Sequence, residues 1–493
     1  MPHVLDPLLD LLYRPRNEWS ASAIDLLQKS LTDRYKNIGK LKERDDEKRF
    51  AVRLNANDAE GNVPYLGIIA PGQERSGPYG GMSFVLFPSD TAGQPALVAM
   101  VVGTQGLAPD EMILGRPGHA RRCRGLASWY RSKVGPEAAW AKADPVRTDI
   151  ELTAPKVVRD HWQGAAGKYG KEMYATFVPP ADPSAHRDTV LKLLAGLLDL
   201  ALLDRGVVVK KDAAEESHDI ERAWLQEVLP ATDPAEIGDL LATRRFVVLE
   251  GPPGTGKTRL ADALLRGRYQ GRGQIVQFHP GTTYETFIGG LAPVAIQQGL
   301  GLAFAPTPGH LMAAIVAARK TPEPYLLVID EINRADLAKV LGEAIYLFEP
   351  GEPNREVTLA HEFPHVGNKL RLPANLHVLG TMNSADRSIA ILDLAIRRRF
   401  GFVRLWPQVT AMDGQHELLQ RGFRELLAIF VEHAPDDVLA LMPGHAYFLG
   451  TDATTARNRL RTEVRPLLEE YLAQGYVAAL ADHVRAYLDR LGV

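Results

Sequence analysis

The stretch RFVVLEGPPGTGKTRLADALL constrains this chain more than any other. An apolar run, a glycine-rich turn ending in Lys-Thr and an amphipathic run follow one another without a gap. That order is strand, loop, helix, and it meets the full G-x-x-x-x-G-K-[ST] pattern in its confirming context. Gly251, Gly254 and Gly256 let the backbone turn its N–H groups toward phosphate oxygens, with Pro252, Pro253 and Thr255 completing the loop. The helix N-terminus that follows adds a favourable dipole. Lys257 is then expected to reach the β and γ phosphates of a nucleoside triphosphate, and Thr258 to hold Mg²⁺.

A second run, YLLVIDEINRAD, ends four apolar residues at Asp330–Glu331 and so places two carboxylates at a strand tip. Asp330 suits Mg²⁺, directly or through water, and Glu331 suits polarising an attacking water. A third, LHVLGTMN, carries Asn383 to the same edge, outside the carboxyl ends of parallel strands. Asp386 has two readings: a partner of the lytic water, or the N-cap of the next helix.

That helix, from about Ser388 to Arg399, closes in three consecutive arginines. It carries them about 16–18 Å from its start, too far for the phosphates that Asn383 would touch. Complementing the helix dipole needs one cation, not three. At least one of Arg398 and Arg399 is therefore expected to act on a neighbouring subunit's nucleotide, and Arg397 to be structural.

The same alternation of strand and helix spans FVVLE, IVQFH, YLLVIDE and LHVLGTMN, and the uninterrupted apolar runs suit parallel strands covered on both faces. The fold class is therefore α/β: a phosphate-loop module at 236–405 with a parallel sheet and a C-terminal helical lid at 406–493. An α+β N-terminal domain at 1–205 precedes it, joined through a linker and entry helix at 206–235, where the polar KKDAAEESHD reads as a linker or an exposed helix start.

The 493 residues carry a net charge of −3, so contact with nucleic acid requires a local patch. GRPGHARRCRGLASWYRSK supplies one, with Arg121, Arg122, Arg124 and Arg131 interleaved by Trp129 and Tyr130. Cations with aromatics suit phosphate contact and base stacking. The competing reading is an amphipathic helix with a solvated basic face and Trp129 packed inside. A lone cysteine, Cys123, excludes a disulfide framework. Its arginine neighbours could lower its pKa, although a single cysteine is more often inert. With no long apolar span and no basic-flanked leader, a cytoplasmic location is expected.

Phosphate loop, strand-end Asp-Glu, Asn383 and terminal arginines before a helical lid together resemble an AAA+ module. The wording VQFHPGTTYETFIGGLAP, VIDEINRADLAKVLGEAIYLFEP, TMNSADRSIAILDLAIRRRF, PGHAYF and RPLLEEYL resembles the McrB family over about residues 222–493. Members are motor subunits of modification-dependent restriction systems. The resemblance implies a hexameric ring hydrolysing GTP or ATP with Mg²⁺, stimulated by a separate McrC-type nuclease subunit, with DNA possible as a target of the N-terminal domain. It implies that Asn383 and Asp386 position the catalytic water and that Arg398 and Arg399 are the trans-acting pair. Two other tasks fit the same motor: MoxR-like remodelling of a protein substrate, and a nucleotide-gated scaffold.

Overall fold

The computed structural model describes residues 2–37, 50–56, 62–70, 80–149, 155–294, 303–385 and 394–492. The chain forms two compact units, Met1–Leu229 with Val431–His433, and Pro230–Phe430 with Ala434–Val493.

In the first unit, α1 (Asp6–Tyr13) and α2 (Ala21–Arg34) lead into β1 (Ala51–Asn55), β2 (Tyr65–Ile69), β3 (Met82–Phe87) and β4 (Leu97–Val102). Then come α3 (Pro117–Val134), β5 (Ala139–Ala141), β6 (Met173–Phe177), α4 (Arg187–Leu202) and α5 (Lys211–Val228). The strands make one antiparallel sheet in the order β1-β2-β3-β4-β6-β5. Strand β3 alternates its faces: Val85 and Phe87 join a cluster with Leu97, Val101 and Trp162. Gly80 and Gly81 form the tight loop entering that strand, with Gly81 at φ +74°.

The polar run at 210–219 is the exposed start of a helix rather than a linker. It is the first half of α5, whose Ile220 and Trp224 are buried, and α5 packs on α3 and α4 within the first unit. The division between units falls at Leu229, inside the 206–235 stretch. Asp199 interrupts the apolar run of α4 because it is used: it accepts from Tyr35 Oη at 2.6 Å and Ser217 Oγ at 2.7 Å. Among the described residues no helix is long and apolar enough to cross a membrane.

The second unit contains α6 (Pro234–Arg244), β7 (Phe246–Gly251), α7 (Lys257–Arg266), β8 (Gly273–Gln277), α8 (His310–Ala318), β9 (Tyr325–Asp330) and β10 (Leu376–Asn383). It continues through α9 (Leu394–Arg397), β11 (Gly401–Arg404), α10 (Glu417–His433), α11 (Ala453–Arg459), α12 (Arg465–Ala473) and α13 (Ala481–Leu491). Its sheet is parallel throughout, in the order β8-β9-β10-β7-β11. Burial on both faces explains the unbroken apolar runs. Val247 and Leu249 face Leu241 of α6 and Leu264 of α7, while Phe246 and Val248 face Leu311 and Ile315 of α8. Each fully buried side chain of this size contributes about 1.5–3 kcal/mol.

The strand order carries the functional consequence. The first strand of the module, β7, lies between β10 and β11, with β9 one further strand away. The carboxyl ends of β7, β9 and β10 therefore meet at one edge.

Candidate active site

At the end of β7 the chain turns through Gly254 at φ +80° and Gly256 at φ +85°. Both are left-handed conformations that glycine adopts without the steric cost of a Cβ. The turn aims the start of α7 back across the loop. Lys257, its first residue, folds over the loop and donates from Nζ to the carbonyls of Gly251 and Pro252, each at 2.9 Å. Thr255 Oγ1 donates to Pro252 O at 2.9 Å. Burial pulls the Lys257 pKa down to about 8, against the opposing influence of the Glu331 and Asp330 carboxylates. A buried ammonium held only by carbonyl oxygens is poised for an anion, which would restore its charge preference.

Thr258 Oγ1 lies 2.9 Å from Asp330 Oδ1. A hydroxyl and a carboxylate make an all-oxygen pair that suits Mg²⁺, an ion that takes one or two protein ligands and completes its shell with phosphate and water. Among the described residues no group of three or more His, Cys, Asp or Glu is placed to hold a metal ion.

Thr381, which sequence reasoning passed over, organises the carboxylates. Its hydroxyl donates to Asp330 Oδ1 at 2.6 Å and accepts the Glu331 backbone N–H at 3.0 Å. Its one visible signal was a hydroxyl inside the apolar run LHVLGTMN, and the side chain is 1% exposed. Glu331 itself sits at φ +54°, a left-handed conformation uncommon for a residue with a side chain. Such strain persists where neighbours over-determine it, and it gathers at functional sites. Its Oε2 lies 3.5 Å from Arg334 Nε.

Asn383 pairs in register with Gly251, and the next residue's N–H donates to Gly251 O at 3.0 Å. The tip of β10 is thus bonded to the first residue of the glycine loop. Asn383 Oδ1 accepts the Ala385 N–H at 3.1 Å, which leaves the side-chain NH₂ as the group to offer a ligand. Asp386 and the helix expected from Ser388 lie outside the described residues as far as 393.

The three arginines part company. Arg399 is buried; its Nη1 donates to Ala395 O at 2.8 Å and its Nε lies 4.0 Å from Glu349 Oε2. Its Nε is buried without a hydrogen-bond acceptor, and Phe400 beside it packs against Phe348 and Phe246. Arg397 is exposed, with its guanidinium 5.0 Å over the Phe402 ring. Arg398 is exposed and makes no side-chain hydrogen bond or ion pair with a described residue.

The N-terminal basic stretch is helix α3, and its cations are largely used internally. Arg121 is buried and donates to Val431 O. Arg122 pairs with Asp204 at 2.6 Å and with Glu432 at 3.2 Å. Arg131 donates to Ala139 O at 3.4 Å, and Arg124 is half-buried. Trp129 and Tyr130 are 8% and 0% exposed, so neither has a face open for a base. Residues that read as a binding patch are here the packed side of a helix. Cys123 follows suit: burial pushes its thiol up to about 12, the reverse of activation. The same unit does hold a cavity of about 380 Å³ on its sheet, lined by Arg53, Tyr65, Ser83, Phe87, Lys168 and Tyr169 among others.

Taken together, a glycine loop closed by its lysine, a Thr-Asp pair for a hard cation and a strand-end glutamate beside an asparagine define a P-loop nucleoside triphosphatase of the AAA+ class. Residues 246–400 match the AAA domain (dynein-related subfamily). The Type IV methyl-directed restriction enzyme EcoKMcrB subunit of Escherichia coli (strain K12) is 30% identical over 354 residues, covering 64% of this chain and 74% of that protein. This chain belongs to the McrB family. The Type II restriction enzyme BsuMI component YdiS of Bacillus subtilis (strain 168) is 28% identical over 190 residues, 31% of this chain and 55% of that protein. A putative ATPase from Cytophaga hutchinsonii aligns at 15% identity over 52% of this chain and 79% of its own, with a TM-score of 0.24, too low to bear on the fold.

Proposed function

We propose that this triphosphatase works as a ring whose sites are shared between subunits, and that its turnover drives or regulates a separate nuclease in DNA restriction. Lys257 and the loop amides bind the β and γ phosphates, and Thr258 and Asp330 hold Mg²⁺, which neutralises charge between them. Glu331 orients and deprotonates the attacking water, while Asn383 donates from Nδ2 to the γ phosphate or that water. Arg398 of the neighbouring subunit stabilises the charge that develops on the transferred group.

The observation that carries the shared site is the outward turn of Arg398 beside Leu394, an apolar side chain that is 84% exposed. An exposed leucine one helical turn before two exposed arginines suits a subunit contact better than a solvated helix end. The restriction role is supported by the family relatives, two of which are components of restriction enzymes. The nuclease is assigned to another polypeptide of McrC type.

The decisive experiment mixes two inactive variants. Glu331→Ala subunits bind nucleotide without hydrolysing it, and Arg398→Ala subunits lack the donated cation. Mixed rings contain interfaces with both groups intact and regain part of the activity. If no mixture regains any, the shared site is wrong. Turnover of ATP against GTP, with and without the nuclease partner, assigns the nucleotide.

A second reading has one observation in its favour. The antiparallel hairpin of Gly289–Val294 and Ala303–Pro308 exposes Leu291 and Phe304 on one face, the latter at 62%, with Val294 on the other. An apolar strip suits a polypeptide better than a phosphate backbone, as remodelling of a protein substrate would require. Salt-sensitive retention on DNA favours restriction, and indifference to DNA with every nucleotide favours remodelling.

A further inference from the structure

The lid segment Pro443–Tyr447 touches the glycine loop in an unusual way. The Gly444 N–H donates to Pro253 O at 2.9 Å, and the Ala446 N–H donates to Gly254 O at 3.0 Å. In a trans peptide the C=O and the N–H point in opposite directions. The carbonyls of Pro253 and Gly254 share their peptide planes with the N–H groups of Gly254 and Thr255. Holding those two oxygens on the lid side therefore turns these two amides to the opposite side of the loop.

Packing makes the grip tight. A Cβ on Gly444 would stand 2.0 Å from Gly254 C, 2.2 Å from Gly254 O and 2.4 Å from Thr255 N, all backbone atoms that cannot swing aside. The φ of Gly444 is −69°, open to any residue, so close approach alone requires glycine here. From the other side, a Cβ on Gly254 would meet the Tyr447 ring at 2.8 Å. The segment is tied down at further points. Arg459 of α11 donates to Ala446 O at 3.2 Å, and His445 Nδ1 accepts the Gln408 N–H at 3.2 Å. Just upstream, Ala440 O accepts from Ser384 Oγ at 2.7 Å, one residue beyond Asn383.

We infer that Gly444, Ala446 and Tyr447 are positioning residues for phosphate binding: the lid sets the two peptide planes of the loop that present amides to the triphosphate. Lid position and phosphate affinity are then one equilibrium. A lid displaced from Pro253 and Gly254 frees those planes to rotate, and a bound triphosphate favours the lid in place. The bond from Ser384 extends the link to the strand that carries Asn383. The inference rests on reading 251–258 as the phosphate loop.

The test measures binding of a non-hydrolysable Mg²⁺–triphosphate analogue and the melting midpoint without nucleotide. Gly444→Ala is expected to weaken binding by about ten- to a hundred-fold, the scale of an ångström-sized misplacement. Its melting midpoint without nucleotide is expected to fall modestly while the protein stays folded at the binding temperature. Tyr447→Ala is expected to weaken binding and Tyr447→Phe, which keeps the ring on Gly254, to restore it. Parent-like affinity in a folded Gly444→Ala protein overturns the inference. Should that variant not fold, equal affinities for Tyr447→Ala and Tyr447→Phe overturn it instead. Lys257→Ala tests the loop reading separately: unimpaired binding there removes the phosphate loop itself, whatever the lid variants do.

Discussion

Helix α3 and the triplet Arg397–Arg399 are both dense in arginine, and they put it to opposite uses. On α3 the carboxylates of Asp204 and Glu432 and the carbonyls of Val431 and Ala139 absorb the guanidiniums, and the aromatics face inward. In the triplet one arginine is absorbed and two remain outside. Charge density along a chain thus says little about where the charge is available. Availability depends on which anionic or carbonyl groups the fold brings within reach, and those come from residues far away in sequence. Lys257 is a third case, absorbed by carbonyls that a ligand can replace.

The largest effect that could break this contrast is at Arg398. Arg398→Ala is expected to lower kcat by about 10³–10⁵ with little change in the melting midpoint, measured by steady-state turnover and calorimetry. Arg399→Ala is expected to do the reverse in kind. Losing its bonds to Ala395 and the approach to Glu349 costs about 1–3 kcal/mol of folding stability, visible in denaturant titration. A catalytic loss from Arg399→Ala at full stability would make the two arginines equivalent and dissolve the distinction.

Titration sharpens the Lys257 case. Its pKa is lowered to about 8 in the fold, from 10.5. Between those values the unfolded chain binds a proton that the folded one lacks, so this group's contribution to stability rises with pH across the window and is lost as pH falls through 8. Bound phosphate favours the charged lysine, so binding there takes up a proton. Affinity is expected to fall by up to about tenfold per pH unit above 8, measured by calorimetry in buffers of different ionisation enthalpy. Absence of proton uptake would mean that Lys257 does not meet the phosphates. The smallest effect is at Lys133, exposed at the end of α3. Lys133→Ala is expected to change stability by less than about 0.5 kcal/mol, and to leave salt-dependent DNA retention unaltered.

The parallel sheet and the phosphate loop could be read directly because their signals are local. Four apolar residues, a glycine turn and a helical run are set by neighbours in sequence, and a strand covered on both faces must be apolar throughout. Asp330 and Glu331 were legible for the same reason: a strand must end somewhere, and its end is where polar groups survive. Thr381 was not legible, because its value lies in a hydrogen bond to a carboxylate on a different strand. The polar run at 210–219 left linker and helix start both open because composition records solvent preference, while one apolar face with Ile220 and Trp224 was enough to seat a helix.

The chain alone determined the class of chemistry, since the loop, the carboxylates and the asparagine each need only their own strand to reach the shared edge. The fate of each arginine, the burial of Trp129 and Tyr130 and the grip of Gly444 on the loop were decided by tertiary structure. They depend on pairs such as Gly444 and Pro253 or Arg122 and Glu432, which meet only when distant segments pack. Short-range order follows from local sterics and periodicity, whereas burial and pairing are properties of the folded whole.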